Sequence, residues 1–348
     1  MLLFISCTAL LASLRGVYAG FDPGSASNIA VYWGQNSYGA ESGSLGQQRL
    51  SHYCENTDIS IIPISFLTAF NGPDGQPTVN IANADQYCSS YSHTQIFDCP
   101  QLAQDIETCQ KDYSKTILLS IGGVTYTAGG FSSDSAAIAG ANLVWATFGP
   151  QRDGSSAHRP LGSSAVDGFD LDFEKPIHNM APFANQLRSL MDADTADTGR
   201  KWLLTAAPQC PYPDAVSDTM LDGVIAFDAI FIQFYNNPCG LPSFFEGATA
   251  ENDFDFSTWD DWAKVVSKNP SIKILLGVPA AKKAARIGYE PSDKLAKIIE
   301  YCKQFKSFGG VMMWDATQAY ANKDFLDDVA SSLAERPSRI KGWRSWSA

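Results

Sequence analysis

Several things are missing from this 348-residue chain, and each absence closes off a reading. No apolar run reaches the roughly 20 residues that a membrane-spanning helix needs. No Asn-x-Ser/Thr sequon with x other than Pro occurs, so N-glycosylation is not expected. No Cys-x-x-Cys pair occurs, which argues against a zinc site. Basic residues are outnumbered, 25 against 37 acidic, for a net charge of −12. Such a surface repels phosphate backbones and excludes nucleic acid as a natural partner. There is also no Ser/Thr-rich linker and no cysteine-rich appended module.

What is present begins with a leader. Leu2, Leu3, Phe4, Ile5, Leu10, Leu11 and Ala12 form a short apolar stretch, and Val17-Tyr18-Ala19 reads as a small-residue cleavage site. Residues 1–19 are therefore expected to be a secretory signal, although no basic residue stands at the start and Arg15 falls late. Cys7 leaves with the signal, and the other seven cysteines suit disulfides in an exported chain, with one thiol left over. Residues 20–335 read as one domain. Residues 336–348, Pro-broken and basic with Trp343 and Trp346, read as a solvated tail.

Short apolar runs alternate with amphipathic stretches throughout. The strand-like runs are Asn28–Gly34, Ile59–Phe66, Thr116–Gly122, Val166–Phe173, Trp202–Ala206, Ala229–Phe234, Ile272–Val278 and Gly310–Trp314. Helix-like segments include Leu102–Asp112, Ala136–Phe148, Phe183–Met191 and Leu295–Phe305, the last with Ser292 as its expected cap. Eight β-then-α units predict an α/β fold, a (β/α)8 TIM barrel in a single domain. A doubly wound open sheet is the alternative, weakened because Trp33-Gly34-Gln35-Asn36 stands where a Gly-rich phosphate loop would follow the first strand. In a barrel, chemistry belongs at the C-terminal ends of the strands. Those ends carry Gln35, Gly122-Gly123, Asp172 to Glu174, Gln209, Tyr235-Asn236 and Trp314-Asp315.

The fourth run is the most informative, reading Asp167-Gly168-Phe169-Asp170-Leu171-Asp172-Phe173-Glu174. Side chains alternate on a strand, so Asp170, Asp172 and Glu174 share one face while Phe169, Leu171 and Phe173 share the other. With the apolar side against helices, three carboxylates climb the barrel interior and Glu174 lies nearest the mouth. Like charges stacked this closely cannot all ionise in a low-dielectric core, so a proton is held among them. That suits a general acid. A divalent-metal cluster is the rival reading, but no histidine lies within the motif, and His178 is just beyond it. Asp167 has the opposite parity and is read as structural.

This segment resembles the Asp-x-x-Asp-x-Asp-x-Glu signature of glycoside hydrolase family 18, in its plant class III and fungal class III chitinase type. Ser120-Ile121-Gly122-Gly123, Tyr32-Trp33-Gly34-Gln35-Asn36, Ala206-Ala207-Pro208-Gln209-Cys210, Gln233-Phe234-Tyr235-Asn236-Asn237 and Met312-Met313-Trp314-Asp315 resemble further family motifs in the family's order. The resemblance implies a secreted endochitinase, extracellular or in the cell wall. It would act on chitin and N-acetylglucosamine oligomers without metal or organic cofactor, with a monomer favoured. It implies Glu174 as general acid and base, Asp172 orienting the 2-acetamido group, Asp170 buffering the Asp172 proton and Tyr235 bonding the acetamido carbonyl. It places Trp314 under the sugar and Gln35, Gln233 and Asn236 as lesser polar contacts. Gly122 is a candidate contact that close backbone packing explains as well. By the same resemblance Cys54 pairs with Cys109, Cys88 with Cys99 and Cys210 with Cys239, leaving Cys302 free, and the Ser65-Phe66 and Trp314-Asp315 bonds are cis. The stretch from Val278 to Gly310 leaves room for little beyond one helix, so the insertion domain of bacterial-type members is not expected. A chitin-binding lectin on the same barrel and a muramidase-like side activity are the alternatives.

Overall fold

A computed structural model of the chain describes residues 20–72, 74–92, 96–246 and 254–334. The expected signal and the basic tail at 336–348 lie outside them. Eight strands form the centre: β1 Asn28–Val31, β2 Ile61–Ala69, β3 Thr116–Gly122, β4 Gly168–Asp172, β5 Leu203–Ala206, β6 Ala229–Gln233, β7 Lys273–Pro279 and β8 Phe308–Trp314. Each pairs in parallel with its successor. The sheet then closes on itself, with Asn28 to Val31 of β1 in register with Gly310 to Met313 of β8. Closure excludes the open doubly wound sheet.

Around the barrel lie α1 Leu50–Cys54, α2 Pro100–Lys111, α3 Asp134–Phe148, α4 Met180–Thr198, α5 Asp218–Leu221, α6 Phe256–Val265, α7 Ser292–Cys302, α8 Ala316–Ala321 and α9 Phe325–Ala334. The expected helices exist with shifted ends. Apolar periodicity marked only the buried middle of α4, whose polar turns run on to Thr198. Ser292 is the first helical residue and not the cap. Pro291 holds the cap position in an extended conformation, and no side-chain cap bond forms.

Alternation along the strands makes two cores. Outward-facing Phe169, Leu171 and Phe173 join Val144 of α3 and Phe183 and Leu187 of α4 in the larger apolar cluster. Inward-facing Tyr32, Leu118, Leu203, Phe231, Leu275 and Met312 fill the barrel interior. Each fully buried side chain of this size contributes about 1.5–3 kcal/mol. A short antiparallel addition, Thr78–Val79, pairs with the end of β2, and Ser89–Ser90 pairs with Phe97–Asp98. Disulfides join Cys54 to Cys109, Cys88 to Cys99 and Cys210 to Cys239, while Cys302 is buried and unbridged. The pairing is the one that the resemblance implied.

Candidate active site

The three in-facing carboxylates of the β4 segment differ steeply in exposure. Asp170 is 0% exposed and Asp172 4%, whereas Glu174, two residues past the strand, is half-buried at the mouth. At the bottom, Asp170 Oδ2 accepts from Tyr32 Oη at 2.7 Å and Ser120 Oγ at 2.7 Å, and Oδ1 accepts from Thr205 Oγ1 at 2.6 Å. Three hydroxyls from β3, β5 and the residue after β1 thus satisfy a buried acid, as burial requires. Burial still raises the Asp170 carboxyl above its ordinary range, against the pull of these bonds.

Asp172 Oδ1 accepts from Gln233 Nε2 at 2.9 Å, and the same amide nitrogen donates to the Ala207 carbonyl at 3.0 Å. Burial pushes the Asp172 carboxyl well up, and the charges of Glu174 and Asp170 add to the effect. Burial also raises Glu174, with the neighbouring Lys175 acting against it. Protons are therefore retained in this column above the usual carboxylate range. Tyr235 is 7% exposed, and burial beside Asp172, Glu174 and Asp170 keeps its phenol protonated.

Above the column lies a cleft of about 230 Å³ lined by Tyr32, Gln35, Phe66, Val124, Thr125, Asp172, Glu174, Gln233, Tyr235, Asn236, Ala284, Met312 and Trp314. Trp314 stacks on Phe66 at 5.8 Å and leans on Tyr32 at 5.6 Å, forming an aromatic floor. The peptide bonds Ser65-Phe66 and Trp314-Asp315 are both cis, as is Tyr212-Pro213.

The cleft gathers Glu174, Asp172, Tyr235, Trp314, Gln35, Gln233 and Asn236, while Asp170 lies beneath it. Gln35 and Asn236 also brace the rim. Gln35 Nε2 donates to the carbonyls of Ser65 at 2.8 Å and Asn80 at 3.0 Å, and Asn236 Oδ1 accepts from the backbone of Arg286 at 2.9 Å. Gly122 is not part of the lining. Its φ is +121°, and a Cβ there would collide with the Asp172 carbonyl oxygen, so its smallness lets β3 pass close to β4. Asp167 faces out and accepts from Gln110, Ile117 and Arg200 at the base of the barrel. Cys210, Cys239 and Asp255 come together elsewhere, but both sulfurs are committed to a disulfide.

Residues 28–293 match the family described as Glycosyl hydrolases family 18. The chain belongs to this family. It is 46% identical to a class III chitinase of Arthroderma benhamiae, across 97% of this chain and 94% of the relative. It is 45% identical to endochitinase 33 of Trichoderma harzianum, across 93% and 97%. Among solved structures, a xylanase and α-amylase inhibitor protein from Scadoxus multiflorus superposes with a TM-score of 0.67 at 29% identity, covering 87% of this chain and 98% of that one.

Within this family 18 barrel, the stretch between β7 and β8 carries α7 and no further regular element. Sequence reasoning missed Thr205 as a partner of Asp170, and Phe66, Val124, Thr125 and Ala284 as lining. Thr205 had a signal, being a polar residue at in-facing parity in an apolar run. The loop residues Val124, Thr125 and Ala284 had none, because loops carry no periodicity.

Proposed function

We propose that the chain is a secreted, endo-acting chitinase that cleaves β-1,4 bonds between N-acetylglucosamine units with retention, using the substrate's own acetamido group as nucleophile. One observation carries the mechanism. Among the described residues, the carboxylates lining the cleft are Asp172 and Glu174, both from the β4 segment, and Asp172 is buried and engaged by Gln233. A two-carboxylate scheme needs acids flanking the sugar, about 5 Å apart for retention or 6.5–9.5 Å for inversion. Among the described residues no acid lines the cleft from another strand, which supports a nucleophile that comes with the substrate. The chitinase names of the two fungal relatives support chitin as that substrate, and an acetamido group at C2 is what chitin supplies.

In the first step, protonated Glu174 gives its proton to the glycosidic oxygen while the acetamido carbonyl oxygen attacks C1. The C1–O bond breaks, and an oxazolinium ring carries the positive charge. Asp172 orients the acetamido N–H and stabilises that charge, with Asp170 behind it. Tyr235 donates to the acetamido oxygen, and Trp314 supports the ring. Glu174, now a carboxylate, takes a proton from water, whose oxygen attacks C1 and reopens the ring. Two inversions give net retention. The three disulfides and the apolar leader support export, and no helix among the described residues is long and apolar enough to cross a membrane. The span between β7 and β8, without an added domain, supports an open groove and internal cleavage.

NMR of the first product from an acetylated oligomer is expected to show the β-anomer before mutarotation, and fully deacetylated oligomers are expected to be inert. An initial α-anomer would rule out the acetamido nucleophile. A binding-only role gains support from the likeness to the Scadoxus inhibitor protein, and it predicts that no new reducing ends appear.

A further inference from the structure

The loop between β7 and α7 carries Lys282, Lys283 and Arg286, three cations within five residues of a chain whose net charge is −12. All three are exposed. Among the described residues none of them enters an ion pair, while the next charges along, Glu290 with Lys294 and Glu246 with Lys297, neutralise each other.

This loop is fastened to the cleft. Ala284 lines it, and Asn236 Oδ1 accepts from the Arg286 and Ile287 backbone at 2.9 and 3.2 Å. Asn236 N donates to the Ile287 carbonyl at 2.9 Å. Gly288, at φ +119°, lets the chain pass against Tyr235, where any Cβ would overlap the tyrosine's own. The loop that carries the cations is therefore fixed at the rim of the cleft. A neutral acetylated polymer gives them nothing to pair with.

We infer that the Lys282, Lys283 and Arg286 rim is a charge filter that disfavours chitin segments carrying deacetylated, protonated glucosamine units. The inference rests on the proposed chitinase reading for its substrate class. Rim charges repel an amine several ångströms away without touching it, and salt screens that repulsion, with a Debye length of about 30 Å at 0.01 M and about 3 Å at 1 M.

The test compares wild type with K282Q/K283Q/R286Q at mildly acidic pH on fully acetylated and on partly deacetylated oligomers. At about 0.01 M salt the triple variant is expected to keep its kcat/KM on the acetylated oligomer and to gain about three- to tenfold on the partly deacetylated one. At about 1 M salt the two proteins should converge. The same ordering should appear in calorimetric binding of the deacetylated oligomer, with Glu174→Gln as the background. That measurement reads the filter even if no substrate is turned over, so its failure is separable from failure of the chitinase reading. Equal discrimination by both proteins at low salt, in turnover and in binding, would overturn the filter.

Discussion

Glu174 and Asp172 belong to the same acid column, yet their surroundings divide the work. Glu174 reaches the solvent-facing mouth, while Asp172 is shut in between Gln233, Asp170 and Glu174. Glu174→Gln keeps the shape and deletes the transferable proton, so kcat should fall by about 10²–10⁴-fold with KM little changed. Asp172→Asn leaves the acid in place but weakens orientation and charge stabilisation, at a cost of about 10²-fold. The pH profile separates the two effects. The charge of Glu174 raises the Asp172 pKa, so the pair keeps one proton to higher pH than Glu174 would hold it alone, and removing the Asp172 carboxyl lets Glu174 ionise earlier. The basic limb of kcat/KM against pH should move to lower pH in Asp172→Asn. A limb that stays in place would show that the two groups are not coupled.

A third acid matters through the element it begins. Asp255 occupies the cap position of α6, where a helix N-terminus ordinarily favours the carboxylate. Its side chain makes no cap bond, its Oδ1 is buried without a hydrogen-bond partner, and burial pushes its pKa up to about 7. An unfolded aspartate titrates near 3.9. Between about pH 4 and 7 the folded protein thus holds a proton that the unfolded chain has released. The stability from this group is complete below that window and is lost as pH rises through it. Asp255→Asn has nothing to titrate there. Its urea midpoint relative to wild type should rise from about pH 4 to about pH 8, measured by tryptophan fluorescence. A constant difference across that range would mean that Asp255 is already ionised in the folded state.

At the scale of the whole molecule, the three disulfides constrain the unfolded chain to different degrees. They close segments of 55, 29 and 11 residues, for Cys54–Cys109, Cys210–Cys239 and Cys88–Cys99. Loop-closure entropy assigns them about 4, 3.5 and 3 kcal/mol. Paired Cys→Ser variants should lose stability in that order in urea unfolding, and the C88S/C99S variant should lose least. The Cys210–Cys239 bridge also ties the loop after β5 to the loop after β6, so its loss should affect the side of the mouth that carries Tyr235 and Asn236. Peptide mapping is expected to find Cys302 in no intramolecular bridge.

Which features were legible in the sequence follows from how local each one is. Alternation is a property of consecutive residues, so eight strands, the barrel they imply and the shared face of Asp170, Asp172 and Glu174 could be read directly. The helices were legible in their buried middles, where apolar spacing is strong, and blurred at ends such as the polar stop of α4 at Thr198 and the start of α7 at Ser292 behind Pro291. Only closure of the sheet decided the rest. Tyr32, Ser120 and Thr205 are separated from Asp170 by 138, 50 and 35 positions, and they meet it because β1, β3 and β5 turn the same parity inward at one height. Gln233 reaches Asp172 across 61 positions for the same reason. The cationic loop 281–287 became part of the cleft through Asn236 and Gly288, contacts that no periodicity encodes. The sequence by itself determined which acids face inward, because parity is set residue by residue. The tertiary structure decided which partners hold their protons and which charges overlook them, because those depend on elements that meet only when the barrel closes.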